Sequence, residues 1–160
     1  MMKYQGALIA VSDLEKSKEF YDRVCGSQVI LDFGANVTLT GGFSLQTLKT
    51  WQEFTGKKAC FGGNDAELYF EEDDFDAFIA KLAAFDDIDY LHPLMEHSWG
   101  QRVVRFYDPD HHIIEVGENI VAVVKRFLNS GLTEEETARR MDVPVDYVRT
   151  CLEEGEENDF

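Results

Sequence analysis

Positive charge is scarce in this chain. Lysine and arginine number 15 against 31 aspartates and glutamates, a net charge of −16, and no stretch gathers the basic residues into a patch. That balance repels phosphate backbones and anionic lipid surfaces, so neither nucleic acid nor membrane is expected as a partner. Cysteine is scarce as well. Cys25, Cys60 and Cys151 are odd in number, far apart, and show no CxxC or metal-finger spacing, which fits reduced cytosolic thiols. No window approaches the run of about 18 apolar residues that a membrane helix requires, and Met1-Met2-Lys3-Tyr4 has no signal-peptide apolar region. A cytoplasmic protein is expected. What the chain has in quantity is core material: 44% hydrophobic residues and 12 phenylalanines in 160 residues, enough for one compact domain with a small appendage.

Alternation over Ala7 to Val11 predicts a strand ending at a Ser12-Asp13 helix cap. Leu14, Ser17, Phe20, Tyr21 and Val24 supply the buried stripe of the helix that follows, and Gly26 stops it. Gln28 to Phe33, Val37 to Thr40 and Phe43 to Leu48 read as three short strands separated by glycine turns. The order then recurs. Setting Gly6 on Glu67, an offset of 61, places Asp13 on Asp74, Leu14 on Phe75, Tyr21 on Leu82 and Val24 on Phe85. A second helix carries Phe75, Phe78, Ile79, Leu82 and Phe85, followed by strands near Ile88 to Leu91, Arg102 to Tyr107 and His112 to Val116. The expected class is α+β, built from two βαβββ modules over residues 1–117.

The last of these strands holds one carboxylate, Glu115, among aliphatic residues. Burying it unpaired would cost several kcal/mol or force its neutralisation, so it is exposed at an edge, hydrogen-bonded, or facing a cavity with a cation or polar ligand. Period-two geometry puts Glu67 and Tyr69 on one face of their strand, with Leu68 and Phe70 toward the helices. On the strand before the turn, Arg102 and Arg105 point oppositely, and packing of Val104 and Phe106 on a helix leaves Val103, Arg105 and Tyr107 for the cavity. Arg105 is either an anion clamp or an ion-pair partner of Glu67, Glu71 or Glu115.

Val11-Ser12-Asp13-Leu14 with Ser17 and Phe20-Tyr21, then Val24-Cys25-Gly26, and later Phe106-Tyr107-Asp108-Pro109-Asp110 with Glu115, resemble the vicinal oxygen chelate superfamily of glyoxalase I, bleomycin-resistance proteins, fosfomycin-resistance enzymes and extradiol dioxygenases. The resemblance covers residues 4–117 and implies a curved mixed sheet whose concave side holds a metal or ligand. It places the family's four ligand positions at Gly6, Gln46, Glu67 and Glu115. Glycine supplies no donor there, and Gln5 could replace it only through a bulge. The remaining set, Gln46, Glu67 and Glu115, implies one divalent ion among Mg, Mn, Fe, Ni or Zn, its oxygen donors suiting magnesium or manganese best.

The histidines add no second ligand at fixed spacing. His111, where the family has glycine, and His112 are expected to face solvent at the turn, and His92 precedes Pro93 in an extended or loop context. His97 and Trp99, in the loop Met95 to Gly100, are either pocket-mouth or surface residues, and Trp51 is either a pocket wall or a core plug.

Residues 118–160 change pattern. Ile120 to Leu128, a helix capped by Thr133 and a helix opened by Pro144 make three short helices, the last two spaced like a helix-turn-helix. Five basic residues stand against 11 acids there, and the run from Glu153 to Asp159 is an acidic tail expected to fray. A packing or homodimer-forming extension is therefore expected rather than a DNA reader.

Three functions fit. One is a small-molecule binder of the bleomycin-resistance kind with an incomplete metal site, using Tyr69, Arg105, Tyr107, Trp51, His97 and Trp99. Another is a metal-dependent lyase, isomerase or dioxygenase in which the metal polarises vicinal oxygens and Glu115 moves the proton. The third is a ligand-responsive regulator acting through the C-terminal helices.

Overall fold

The computed structural model describes residues 1–157, with residues 154–157 described by backbone alone. Of the acidic run expected to fray, Glu153 to Glu157 continue the last helix, and residues 158–160 lie outside the described residues. The chain divides into two compact units: residues 1–66 with 107–112, and residues 67–106 with 113 onward. Each is built on one βαβββ module, as the doubled sequence pattern predicts.

The first unit runs β1 (Ala7–Val11), α1 (Leu14–Cys25), β2 (Val29–Asp32), β3 (Asn36–Leu39), β4 (Phe43–Thr47) and α2 (Leu48–Thr55). Its sheet has the order β1-β4-β3-β2, with β1 parallel to β4 and the other pairs antiparallel. Asp13 caps α1 by accepting from Lys16 N at 3.1 Å, and Gly26 closes it in the left-handed region at φ 67°. Phe20, Tyr21 and Val24 are buried, as are Val11, Val37, Leu39 and Leu45 of the sheet. Leu48, expected to finish a strand, instead opens α2, because the β4 pairing stops at Thr47.

The Asp-Pro-Asp turn belongs to this unit and is held by its own carboxylates. Asp108 accepts from Tyr21 Oη at 2.8 Å and from the backbone N–H groups of Asp110 and His112 at 2.9 and 2.8 Å. Asp110 accepts from Ser12 N at 2.8 Å. His111 takes a left-handed conformation, φ 63°, which accounts for a glycine suiting this place elsewhere. His111 is exposed, but His112 is not solvent-facing as expected: its Nδ1 lies 2.8 Å from Asp108 Oδ2 and its ring meets Phe61 edge-on. Burial pulls the His112 pKa down, yet the hydrogen bond and charge of Asp108 outweigh it and leave the pKa raised.

The second unit runs β5 (Glu67–Glu72), α3 (Phe75–Ala83), β6 (Asp89–Glu96), β7 (Arg102–Tyr107), β8 (Ile113–Glu118), α4 (Ile120–Asn129), α5 (Glu134–Met141) and α6 (Val145–Glu157). The sheet order β5-β8-β7-β6 repeats that of the first unit, with β5 parallel to β8. Asp74 caps α3 as Asp13 caps α1. Helix α3 stops at Ala83, so Phe85 falls past its cap rather than on its buried face. Strand β6 is longer than the sequence pattern suggests and takes in His92-Pro93 and Met95-Glu96. It tolerates the proline because it is the sheet's edge, where a missing N–H leaves no ladder bond unmade.

The C-terminal helices share a core of Val123, Val124, Phe127, Ala138, Met141, Val148 and Cys151, each large side chain contributing roughly 1.5–3 kcal/mol on burial. Thr133 and Glu136 form a reciprocal capping box that opens α5. Among the described residues, no helix is long and apolar enough to cross a membrane.

Candidate functional site

The β5–β8 register decides which side chains meet. Tyr69 lies opposite Glu115 and Glu71 opposite Gly117, while Leu68 and Phe70 pair with Ile114 and Val116 on the other face. Glu115 is only 6% exposed, and its partner comes from β7. Arg105 donates from Nε to Glu67 Oε2 at 2.9 Å and sets Nη2 against Glu115 Oε2, an ion pair rather than a well-formed hydrogen bond. Its Nη1 lies 3.3 Å from His92 Nε2. The anion-clamp reading of Arg105 therefore gives way to the ion-pair reading. One guanidinium spans two carboxylates, and the trio keeps a net negative charge. Arg102 points the other way, as parity requires, toward Glu118 and Asp76 and over the Phe75 ring.

A second network borders this trio. Tyr69 Oη donates to Glu71 Oε1 at 2.8 Å and accepts from Gln101 Nε2 at 2.9 Å. Gln101 Nε2 also donates to the Glu118 carbonyl, and Gln101 Oε1 accepts from Trp99 Nε1 at 3.2 Å. His97 stacks on Trp99 with ring centroids 4.1 Å apart. A Cβ on Gly117 would stand 2.8 Å from Gln101 Nε2 and 3.2 Å from Tyr69 Oη, so the network requires a bare backbone there. Burial pushes the Tyr69 pKa up to about 12, the Gln101 hydrogen bond opposing and Glu71 adding to the rise. Burial lowers the His97 pKa, helped by the charges of Arg105 and His92. The tyrosine is a neutral donor and the His97 ring a neutral aromatic surface near pH 7.

Of the residues singled out from the sequence, Glu67, Tyr69, Trp99, His97, Arg105 and Glu115 lie in the second unit. Sequence reasoning missed Gln101, for which no periodic signal exists, and named Glu71 only as a possible partner of Arg105, whereas Glu71 accepts from Tyr69. The other candidates lie in the first unit. Gln46 is buried on β4, where it donates to Thr50 Oγ1 at 3.0 Å and accepts weakly from Asn36 at 3.4 Å. Tyr107 Oη donates to Asn64 Oδ1 at 2.9 Å. Trp51 is half-buried on α2.

Gly6 could not be a ligand-bearing residue in this backbone. Its φ is 126°, and a Cβ would lie 1.9 Å from the Gly42 carbonyl oxygen. Gln5 does not replace it, because its side chain is exposed and turned to the neighbouring Tyr4 carbonyl. Among the described residues, no group of three or more His, Cys, Asp or Glu side chains is placed to hold a metal ion. Glu67 and Glu115, the two carboxylates implied as ligands, already share a guanidinium. The donor set within this unit therefore does not fit a divalent ion, whose charge Arg105 would oppose.

The extension grips the loop between β6 and β7. Arg126 donates from Nη2 to the Gly100 carbonyl at 2.6 Å, and Arg140 donates to the Ser98 carbonyl and, at 2.7 Å, to Glu96 Oε1. Both guanidinium groups pack on the Phe127 ring, with centroid distances of 4.9 and 5.1 Å. A Cβ on Gly100 would stand 2.3 Å from the tip of that ring. Arg126 also joins Arg102 on the buried Glu118 carboxylate. Burial raises the Glu118 pKa, but the two arginines outweigh it and hold it below the usual glutamate value.

With this geometry in view, residues 4–121 match the glyoxalase-like domain family. The chain is similar to a protein of unknown function from Agrobacterium tumefaciens str. C58, at 35% identity and TM-score 0.67 over 74% of this chain and 95% of that one. It is similar to a glyoxalase-related enzyme from Fulvimarina pelagi, at 25% identity and TM-score 0.59 over 73% of this chain and 89% of that one. A glyoxalase/bleomycin resistance protein/dioxygenase from Nocardioides shares the fold at 20% identity and TM-score 0.59, over 74% of this chain and 84% of that one. No curated protein matches the chain. The doubled βαβββ module, the family match and the Agrobacterium relative together make this chain a member of the glyoxalase-like domain family of the vicinal oxygen chelate superfamily.

Proposed function

We propose that this protein binds a small organic molecule on the β5–β8–β7 face without a resident metal, and that the ligand carries a positive charge, such as an amine on an aromatic or aliphatic body. The observation that carries this reading is Arg105, which spans Glu67 and Glu115 where the family resemblance implies a metal. The carboxylates outnumber the cation: Glu67 and Glu71 remain exposed beside the aromatic surfaces of Tyr69 and Trp99. Carboxylates flanking aromatic rings attract an ammonium group by charge and by cation–π contact. The protein's net charge of −16 attracts such a ligand over a longer range.

Two measurements on purified protein test the reading. Tryptamine and naphthylmethylamine should raise the melting temperature equally with and without a chelator, and Glu67→Gln should weaken that effect. Stoichiometric divalent metal in the purified protein, lost in both Glu67→Ala and Glu115→Ala, would overturn it in favour of metal-dependent chemistry.

A further inference from the structure

We propose that the groove between the C-terminal helices and the β6–β7 loop is a second binding site, one that takes a planar aromatic anion and communicates with the sheet face through Trp99. The groove encloses about 630 Å³ and is lined by Ser98, Trp99, Ile120, Met141, Val143 and Tyr147, with Arg139, Arg140 and Asp142 supplying its charge. That is the scale of a drug-sized ligand, and the mixture of aromatic walls with a few charged groups is what such sites use.

The charged groups are not equivalent. Arg140 is committed to Glu96 and the Ser98 carbonyl. The Arg139 guanidinium, in contrast, makes no hydrogen bond or ion pair among the described residues, although its exposed charge adds to the lowering of the Glu136 pKa that the Thr133 hydrogen bonds cause. A guanidinium with its donors uncommitted beside Trp99 and Tyr147, each about two-fifths exposed, matches a carboxylate or sulfonate on a flat ring system. With Arg140 paired to Glu96, the preference for a charged ring over a neutral one rests on the Arg139 guanidinium.

The link to the sheet face is a chain of direct contacts. Trp99 lines the groove, stacks on His97, and donates to Gln101, which in turn donates to Tyr69. Three hydrogen bonds from Arg126 and Arg140, with Phe127 filling the space over Gly100, leave the loop little freedom to absorb a ligand locally. The family match ends at residue 121, so α5 and α6, which supply Arg139 and Tyr147, lie outside the matched region.

The protein has two tryptophans, Trp51 and Trp99, so a Trp51→Phe background reports on Trp99 alone. Titrating this full-length variant with 2-naphthoate should give saturable quenching. Arg139→Gln should weaken the affinity about fivefold to tenfold, the loss of one charge-assisted contact, with an unchanged circular dichroism spectrum. The uncharged 2-naphthylmethanol should bind several-fold less tightly. Saturating naphthoate should also change the tryptamine-induced melting shift, whereas an independent groove would leave that shift alone. Absence of saturable quenching at millimolar probe, or equal affinity in Arg139→Gln, overturns the groove as a site. Quenching that leaves the amine response untouched overturns the link. The groove as a site does not depend on amine binding at the sheet face, since the naphthoate titration and the Arg139 variant are read without any amine; the link rests on that reading.

Discussion

The two βαβββ modules share a topology and a capping pattern but not a chemistry. In each, the first strand pairs in parallel with the last, and the aspartate 61 positions apart in sequence caps the helix. The same offset sets Leu8 on Tyr69 and Ala10 on Glu71. Leu8 pairs with Ser44 in the first module, whereas Tyr69 pairs with Glu115 in the second. The register counterpart of Glu115 is thus Ser44, whose hydroxyl bonds Thr38 Oγ1 at 3.0 Å, and that of Gln46 is Gly117. One module keeps neutral side chains on that face, and the other concentrates Glu67, Arg105 and Glu115. The fold tolerates either, because what the architecture demands is the apolar face against the helix. The sheet face is free to differ.

The sharpest way to break this contrast is to remove the cation. Arg105→Leu leaves Glu115 buried without a partner and should cost about 3 kcal/mol in urea unfolding at neutral pH. Arg105→Leu combined with Glu115→Leu should recover much of that loss, since an apolar pair removes the desolvation cost of both charges. A loss under about 1 kcal/mol for the single variant would mean that Glu115 reaches water, and the charged-face contrast between the modules would fail.

A smaller effect is expected at the matched positions Gly6 and Glu67. Gly6→Ala places a methyl group against the Gly42 carbonyl at a φ that suits glycine, and should cost about 2 kcal/mol. Glu67→Ala removes one half-exposed ion pair and should cost under about 1 kcal/mol. If the order were reversed, the Gly6 position would be open to a ligand-bearing side chain, and the absence of a donor there would not be a constraint of the backbone.

Much of this was legible in the sequence because it rests on short periods. A repeat of two residues assigns Glu67, Tyr69, Arg105 and Glu115 to one face, and the caps at Asp13 and Asp74 announce the duplication. The class and the modules follow from the same marks. What was illegible depends on contacts distant in sequence. Nothing local distinguishes Gln101, which bonds Tyr69, from any loop glutamine. Gly100 looks like a turn residue, yet the ring of Phe127 from the extension is what requires it. Pro93 reads as a strand breaker until β6 is known to be an edge. The ion-pair and anion-clamp readings of Arg105 differ only by whether two carboxylates reach it, which strand register alone decides.

The smallest expected effect separates the turn of the first unit from the ionic face of the second. His112 has a pKa raised in the folded protein by Asp108, against the opposing pull of burial. A raised folded-state pKa contributes stability that is fully present below the unfolded histidine value and is lost as pH rises through the folded value. Glu118, with a lowered pKa, works the other way: its contribution is present above the unfolded glutamate value and fades as pH falls through the folded one. Unfolding free energies from urea titrations between about pH 3 and about pH 9 should therefore fall at both ends, the alkaline decline being on the order of 0.5 kcal/mol, as for partly exposed ion pairs. His112→Ala should flatten that decline while leaving the acid limb in place. An alkaline decline that persists in His112→Ala would assign it to another group, and would leave Asp108 held by Tyr21 and the turn's own N–H groups without help from the imidazolium.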